Sequence, residues 1–419
     1  MRVSLPQTAD ILPLARRARL AETDVPHSAY LHVPFCRRRC YYCDFPISVV
    51  GDRANLDLSP SIAEYVEVLC QEIKTTPTLG QPLETIFFGG GTPSLLPVRH
   101  LERILETLNQ HFAIAPQAEI SMEMDPGTFS LQQLQGYQHH GVNRVSLGVQ
   151  AFQDELLQVC GRSHSIRDIF TAIELIRQVG IVSFSLDLIS GLPHQSLGQW
   201  QYSLETAIQI APNHISCYDL VLESVTAFGK RYQPGETPLP TDELTAEMYR
   251  LAQKVLTKAG YQHYEISNYA QPGHQCRHNR VYWENRPYYG FGMGAASYVQ
   301  QKRFTRPRTR KEYYAWVEQL KESGGAIACP ETSATDRLLE TLMLGLRLAE
   351  GVSLSQIEQE FGKQAVREIC NCLQPYSRQE WVGAIGIDGK LVEMGEAENF
   401  LASGGLRLID PAGFLFSNT

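Results

Sequence analysis

The chain has no uninterrupted run of 18 apolar residues, so no stretch of it reads as a membrane-spanning helix. Nor has it an excess of positive charge: 37 lysines and arginines stand against 45 acidic residues, a net charge of −8. That balance argues against a general nucleic-acid binder, which needs a basic face. The first thirty residues include Arg16, Arg17 and Arg19 but lack an apolar segment long enough for a secretory signal. Internal repeats and low-complexity tracts are missing as well. The ten cysteines lack the spacing of a disulfide framework. Three crowd between positions 36 and 43, and Cys70, Cys160, Cys217, Cys276, Cys329, Cys370 and Cys372 are scattered. Such usage predicts a reducing compartment, with the cytoplasm as the expected location. What is present, 43% hydrophobic and 20% charged residues over 419 positions, describes a globular chain too long for one small domain.

From residue 28 onward, apolar strand-like runs alternate with helical patterns. Strands are predicted at 29–33, 85–88, 119–123, 144–149, 183–189 and 214–220. Helices are predicted between them at 61–74, 98–111, 131–139, 166–179 and 199–210. That succession predicts α/β architecture, with βα units around a parallel sheet. Six units are too few for a closed eight-fold barrel. Residues 1–27, with Pro6, Pro13 and Pro26, read as an N-terminal extension, and 28–265 as the core domain. Within the latter, 223–241 is rich in Gly, Pro and Thr and predicts a long loop over the barrel mouth, ahead of a helix at 243–259. Residues 266–330 read as a linker; its six basic side chains in 302–311 are expected to form a solvated turn. Helices at 334–349, 355–361 and 363–373, then wing-like segments at 383–395 and 406–416, predict a small C-terminal α+β domain over 331–419.

The densest chemistry lies in Tyr30-Leu-His-Val-Pro-Phe-Cys36 and the following Arg-Arg-Arg-Cys40-Tyr-Tyr-Cys43. Three thiols within eight residues, directly after a strand, can fold around one face of a cubane iron–sulfur cluster. Such a cluster has four irons, so one is left without a protein ligand, open to chemistry. Zinc is the alternative, with His32 as a fourth ligand, although closed zinc sites favour paired CxxC or HxxxH spacing.

Other residues point to a ligand site at the strand ends. Gly89-Gly-Gly-Thr-Pro-Ser94 sits between a strand and a helix, where glycines allow backbone amides to approach a ligand. A tight βα turn is the plainer reading. Glu123 lies near the end of the third strand, where an acid has no packing role. Asp187, between Leu186 and Leu188, is costly to bury unless partnered, by Arg162 or by hydroxyl or ammonium groups of a ligand. In His278-Asn-Arg-Val-Tyr-Trp283 an imidazole able to ligate iron stands near the flat aromatic faces of Tyr282 and Trp283. Cys276 is a second possible iron partner. The alternative is that His278 and Asn279 tie down the loop by hydrogen bonds.

The CxxxCxxC spacing with an aromatic before the last cysteine resembles the signature of the radical SAM superfamily. The surrounding YLHVPFC and CYYCDF are similar to the HemN/HemW group. The resemblance implies an open (β/α)6 partial barrel with its site at the C-terminal strand ends. It also implies a [4Fe–4S] cluster on Cys36, Cys40 and Cys43, with S-adenosylmethionine (SAM) chelating the open iron and yielding a 5′-deoxyadenosyl radical on reduction. The SAM contacts implied are Tyr30, Tyr42, Gly90, Gly91, Thr92, Glu123, Gln150, Arg162 and Asp187. The enzyme branch, oxygen-independent coproporphyrinogen III oxidases (dehydrogenases), carries a further cysteine two places after the third. Here that place is Phe45. The departure favours the heme-chaperone branch, which implies heme as a ligand, an acceptor protein for it and an electron donor for the cluster. The HNxxYW motif at His278 resembles one associated with heme in that branch. The oxidoreductase decarboxylating coproporphyrinogen III stays the alternative, as does a cluster or zinc protein without turnover.

Overall fold

The computed structural model describes residues 25–52, 58–79, 82–386, 391–392 and 404–415. Residues 1–24 of the expected extension, and much of the expected C-terminal wing, lie outside them. Six strands form the parallel heart of the main sheet: β1 (Ser28–Val33), β4 (Leu83–Gly90), β5 (Ile114–Met124), β6 (Arg144–Gln150), β7 (Ser183–Ser190) and β8 (His214–Asp219). They lie side by side in chain order, and β2 (Phe35–Cys36) with β3 (Ser48–Val49) forms a small pair beside the first. Helices connect successive strands as the periodicity predicts. Those at Ile166–Val179 and Leu197–Ile210 begin with reciprocal capping boxes, Ser165 with Asp168 and Ser196 with Gln199. Such caps satisfy amide donors that a helix start otherwise leaves unpaired. The apolar faces of these helices bury Ile169, Ile173, Trp200 and Leu204 against the sheet.

The strand register sets the character of the barrel interior. In a strand, alternate residues share a face. The paired series Phe87, Ser121 and Arg144 forms one row, and Glu123, Ser146, Ser185 and His214 form the next. A closed barrel packs its interior with branched apolar side chains. This one is polar.

Residues 266–330 do more than connect. After β9 (Gln262–Glu265), β10 (Asn268–Ala270) pairs antiparallel with β8 at one edge, and β11 (Tyr289–Phe291) pairs parallel with β1 at the other. Among the described residues the sheet therefore has nine strands, in the order β11-β1-β4-β5-β6-β7-β8-β10-β9. Helix Arg277–Trp283 lies between β10 and β11 in the chain. A hairpin of β12 (Ala296–Val299) and β13 (Lys302–Thr305) follows, then helix Arg310–Glu322.

The basic stretch 302–311 is not the solvated turn expected of it. Arg306 is buried against Glu72 at 2.7 Å, Arg303 pairs with Glu340 and Arg308 with Asp44. The C-terminal helices Ala334–Gly345, Leu354–Phe361 and Lys363–Ser377 pack with a second sheet around their own apolar cluster, including Ile357, Val366, Ile369 and Leu406. That sheet runs β14 (Val352–Ser353), β17 (Gly405–Leu408), β15 (Val382–Ile385) and β16 (Leu391–Val392).

Candidate functional site

The cluster loop leaves β1 and is braced from several sides. The Ser48 amide donates to the Pro34 carbonyl at 2.6 Å, and His32 Nε2 meets the Pro46 carbonyl at 2.8 Å. The second bond makes Nε2 the donor, and burial holds His32 neutral, with its pKa lowered to about 4. That leaves Nδ1 as the acceptor for the Tyr30 hydroxyl at 3.1 Å. His32 is thus a brace of the loop, not a fourth metal ligand. The expected long loop at 223–241 contains a short helix, Ala227–Arg231, whose Phe228 amide donates to the Tyr41 carbonyl at 2.9 Å.

Cys36, Cys40 and Cys43 all line one cavity of about 880 Å³. Burial pushes the Cys36 thiol up to about 12, although the Thr92 hydroxyl at 3.6 Å opposes the shift. Such a thiol gives up its proton to a metal, not to water. Among the described residues no three His, Cys, Asp or Glu side chains converge on one point. Thiolates on a cubane each hold a different iron and need not converge.

The strand ends bring the other predicted residues to the same cavity: Tyr30, Tyr42, Gly90, Gly91, Thr92 and Glu123 from one side. Gln150, Arg162 and Asp187 line it as well. Gly90 has φ +110, and a Cβ there would meet the His32 ring at 2.4 Å, so no side chain fits. Its amide donates to Glu123 Oε2 at 3.0 Å. Burial, then the nearby Asp187, raises the Glu123 pKa to about 8. Gln150 ends β6 with φ 67, where the ladder slips between Gly148 and Gln150 and turns the side chain out of the pleat.

Asp187 and Arg162 are not each other's partner, contrary to one expectation from the sequence. Asp187 accepts from Ser146 Oγ at 3.0 and 2.9 Å and from Ser185 Oγ at 3.3 Å. Its pKa is still raised by burial, against the pull of the Ser216 and Ser146 hydroxyls. Arg162 instead pairs with Asp125 and reaches Cys40 Sγ at 3.5 Å, Tyr42 Oη at 3.4 Å and the Gly148 carbonyl at 3.0 Å. The other Asp125 oxygen accepts from Thr92 Oγ1 at 3.1 Å. Asp125 thus gathers the two side chains that approach Cys36 and Cys40. The sequence singled out its neighbour Glu123 and passed over it; its signal was position alone, two residues further along the same strand end.

The HNxxYW helix closes the opposite end of the cavity. Its first amides, from Arg277 and His278, donate to Glu119 at 3.2 and 3.1 Å, and Cys276 Sγ lies 3.7 Å from the same carboxylate. The four predicted heme contacts do not converge. Cys276 and Tyr282 line the barrel cavity, as does Asn279, which the sequence reading took only as a tie for the loop. Trp283 faces a second cavity toward the C-terminal domain and stacks with Arg347 at 5.6 Å. His278 is wholly buried, with Nδ1 2.8 Å from Thr85 Oγ1 and Nε2 2.8 Å from Tyr282 Oη. Burial drops its pKa to about 3. Both nitrogens are engaged, so as folded His278 ties the helix to β4 and offers no lone pair to iron. The expectation of an open histidine ligand is corrected accordingly.

Comparison with known proteins agrees with this layout. A family model of the radical SAM superfamily matches residues 30–207, and one of the HemN C-terminal domain matches 332–384. The chain is 50% identical over 394 residues to a Synechocystis protein named heme chaperone HemW, covering 94% of this chain and 95% of that one. A Bacillus subtilis protein of the same name is 36% identical over 342 residues, with 80% and 87% covered. The solved structure of Escherichia coli coproporphyrinogen III oxidase (HemN), described as a radical SAM enzyme, superposes with a TM-score of 0.76. It covers 96% of this chain and 91% of that one at 22% identity, a likeness of fold alone. With its cysteine loop, glycine turn and C-terminal helices all inside the matched stretches, the chain belongs to the radical SAM superfamily and, within it, to the HemW family.

Proposed function

We propose that this chain is a radical SAM heme chaperone. Cys36, Cys40 and Cys43 would hold one [4Fe–4S] cluster; SAM would sit at its open iron, and heme would be bound for delivery to an acceptor protein. The observation that carries this reading is the union, in one cavity, of the three-thiol loop with the glycine turn and the polar strand ends, in a chain whose relatives across nearly its whole length are named heme chaperones. When bound, the cluster supplies an electron to the SAM sulfonium. The chain's own part is to orient that ligand. Gly90 and Gly91 let the turn lie against the His32 ring and the Pro34–Phe35 backbone, where it would border the amino-acid end. Glu123, protonated in the empty fold, would give its proton up to face the ammonium as a carboxylate, and Asp187 and Gln150 would offer hydrogen bonds to the remaining polar groups. Arg162 brings a fixed positive charge beside Cys40. All ten cysteines are free thiols, which supports the cytoplasmic setting inferred above. An electron donor for the cluster and a heme acceptor complete the proposed partners.

The rival is the porphyrin-decarboxylating enzyme. Phe45, 56% exposed and lining the cavity, occupies the place where that branch has its extra cysteine. One preparation separates the two. After anaerobic reconstitution to about four irons per chain, heme titration should give a saturable Soret change, while coproporphyrinogen III should remain unconverted. Turnover of that substrate with no heme uptake would install the enzyme reading instead. Cys40→Ala should lose the cluster in either case.

A further inference from the structure

Arg144 is the first residue of β6, and Gln150 is the last. At about 3.3 Å per residue their Cα atoms stand roughly 20 Å apart, at opposite ends of the barrel. Yet the Arg144 side chain lines the same cavity as the cluster loop, at the end closed by Cys276, Asn279 and Tyr282. It is 5% exposed. Its Nη1 is buried with no hydrogen-bond partner among the described residues.

Taking a guanidinium out of water costs several kcal/mol, normally recovered through a carboxylate held in its fork. Arg162 and Arg306 follow that rule, on Asp125 and Glu72. Arg144 does not. The groups facing it, Cys276, Glu119, Tyr264 and Asp187, act on it through space. The two carboxylates among them are engaged elsewhere. Glu119 receives the backbone amides of Arg277 and His278, and Asp187 receives the hydroxyls of Ser146 and Ser185. The cavity therefore ends in a buried cation with unused donors.

A carboxylate is the group whose shape and charge match such donors. Two carboxylate-bearing ligands enter the proposed function. The carboxylate of SAM is used at the open iron, at the other end of the strands. A porphyrin carries its own on propionate arms long enough to reach ahead of the ring. We propose that Arg144, in the cavity that Asn279 and Tyr282 also line, is a carboxylate-binding subsite on the barrel floor that takes a propionate of the bound heme. This rests on the heme-chaperone reading and adds to it a way of orienting the cargo.

The test compares heme with its dimethyl ester, in the same detergent, on the reconstituted full chain, with the Soret band as readout. A charge-assisted hydrogen bond contributes about 1.5–3 kcal/mol, so the native chain should bind the diacid at least roughly tenfold more tightly than the diester. Arg144→Gln should bring that ratio close to one, and Arg144→Lys should keep part of it. Equal affinity for acid and ester in the native chain overturns the subsite without any variant. An unchanged ratio in a folded Arg144→Gln chain overturns it as well. SAM affinity is measured on the same variants. A loss there with the heme ratio intact would assign the carboxylate to SAM and refute the propionate. If the native chain takes up neither heme nor its ester, the chaperone reading itself has failed, and the propionate subsite with it.

Discussion

Glu123 shows how a single residue can be tuned for a ligand at the expense of the empty fold. Burial and the neighbouring Asp187 keep its proton on up to about pH 8, where an ordinary glutamate loses it near 4.5. Between those values the folded chain binds more protons than the unfolded one, so this residue makes stability fall as pH rises through the window. Glu123→Gln removes the titration and keeps an oxygen for the Gly90 amide. The variant is expected to gain thermal stability over the native chain at pH 8, to gain less at pH 5, and to bind SAM more weakly. Calorimetry at the two pH values checks this; equal shifts at both would refute the burial argument. Asp125 acts through its neighbours. Asp125→Asn should keep full iron content but weaken SAM binding, because Arg162 and Thr92 lose their common anchor. Unchanged SAM affinity would mean that the Gly148 carbonyl and Tyr42 hold Arg162 well enough alone. The strand ends carrying these residues were legible in the sequence, since an acid in an apolar run stands out. Their pairing was not, because Asp125 and Arg162 meet only after a full crossover from β5 to β6 and a further short helix.

At the scale of elements, helix Arg277–Trp283 is a plug whose fixing point is His278. Replacing that side chain by alanine leaves the hydroxyls of Thr85 and Tyr282 without their buried partner and opens a cavity. Losses of this kind sum to roughly 2–4 kcal/mol. His278→Ala should thus lower the unfolding midpoint while leaving the Soret position of any bound heme unchanged. A moved band would make His278 an iron ligand after all, and would require the helix to give up its ties to β4 when heme enters. Acid offers a second check. The folded pKa of His278 lies near 3, and that of buried His214 is also well below the ordinary 6.5. Unfolded histidine takes up a proton below 6.5 and the folded ones do not. Their contribution is fully present above that pH and is lost on acidification, at up to about 1.4 kcal/mol per pH unit for each histidine. The alanine variant should therefore lose stability with acid less steeply than the native chain. Parallel slopes would contradict the neutral, buried state of His278. The motif was readable as a motif, but sequence spacing cannot tell a ligand from a tie; that depended on Thr85, 193 positions away.

Across the whole molecule, the parts that periodicity can see were legible. The six core strands and their helices lie close to the predicted ranges, because apolar alternation and helical spacing are local properties. The extension of the open sheet beyond β1 and β8 was not. Strands β10 and β11 are three residues each, too short to show a period, and their places beside β8 and β1 depend on distant partners. The strap that follows them is locked by a network no local pattern reveals. Glu72 receives Arg306 Nε at 2.7 Å, the Tyr313 hydroxyl at 2.6 Å and the Gly292 amide at 2.8 Å. Tyr65 joins the Met293 amide to the carbonyl of His32, one strand away from the cysteines. Further along the strap, Arg308 holds Asp44 beside Cys43. Arg306→Met strands the Glu72 carboxylate in a site closed to water, and breaking a buried pair from one side costs roughly 3–5 kcal/mol. Because the strap also braces the cluster loop, the variant should release iron to a chelator faster than the native chain. Adding Glu72→Gln removes the stranded charge and should restore part of both. Denaturant titration and iron-release kinetics on the single and double variants decide the matter. Lost stability with native iron retention would show that the strap stabilises the fold without supporting the cluster loop.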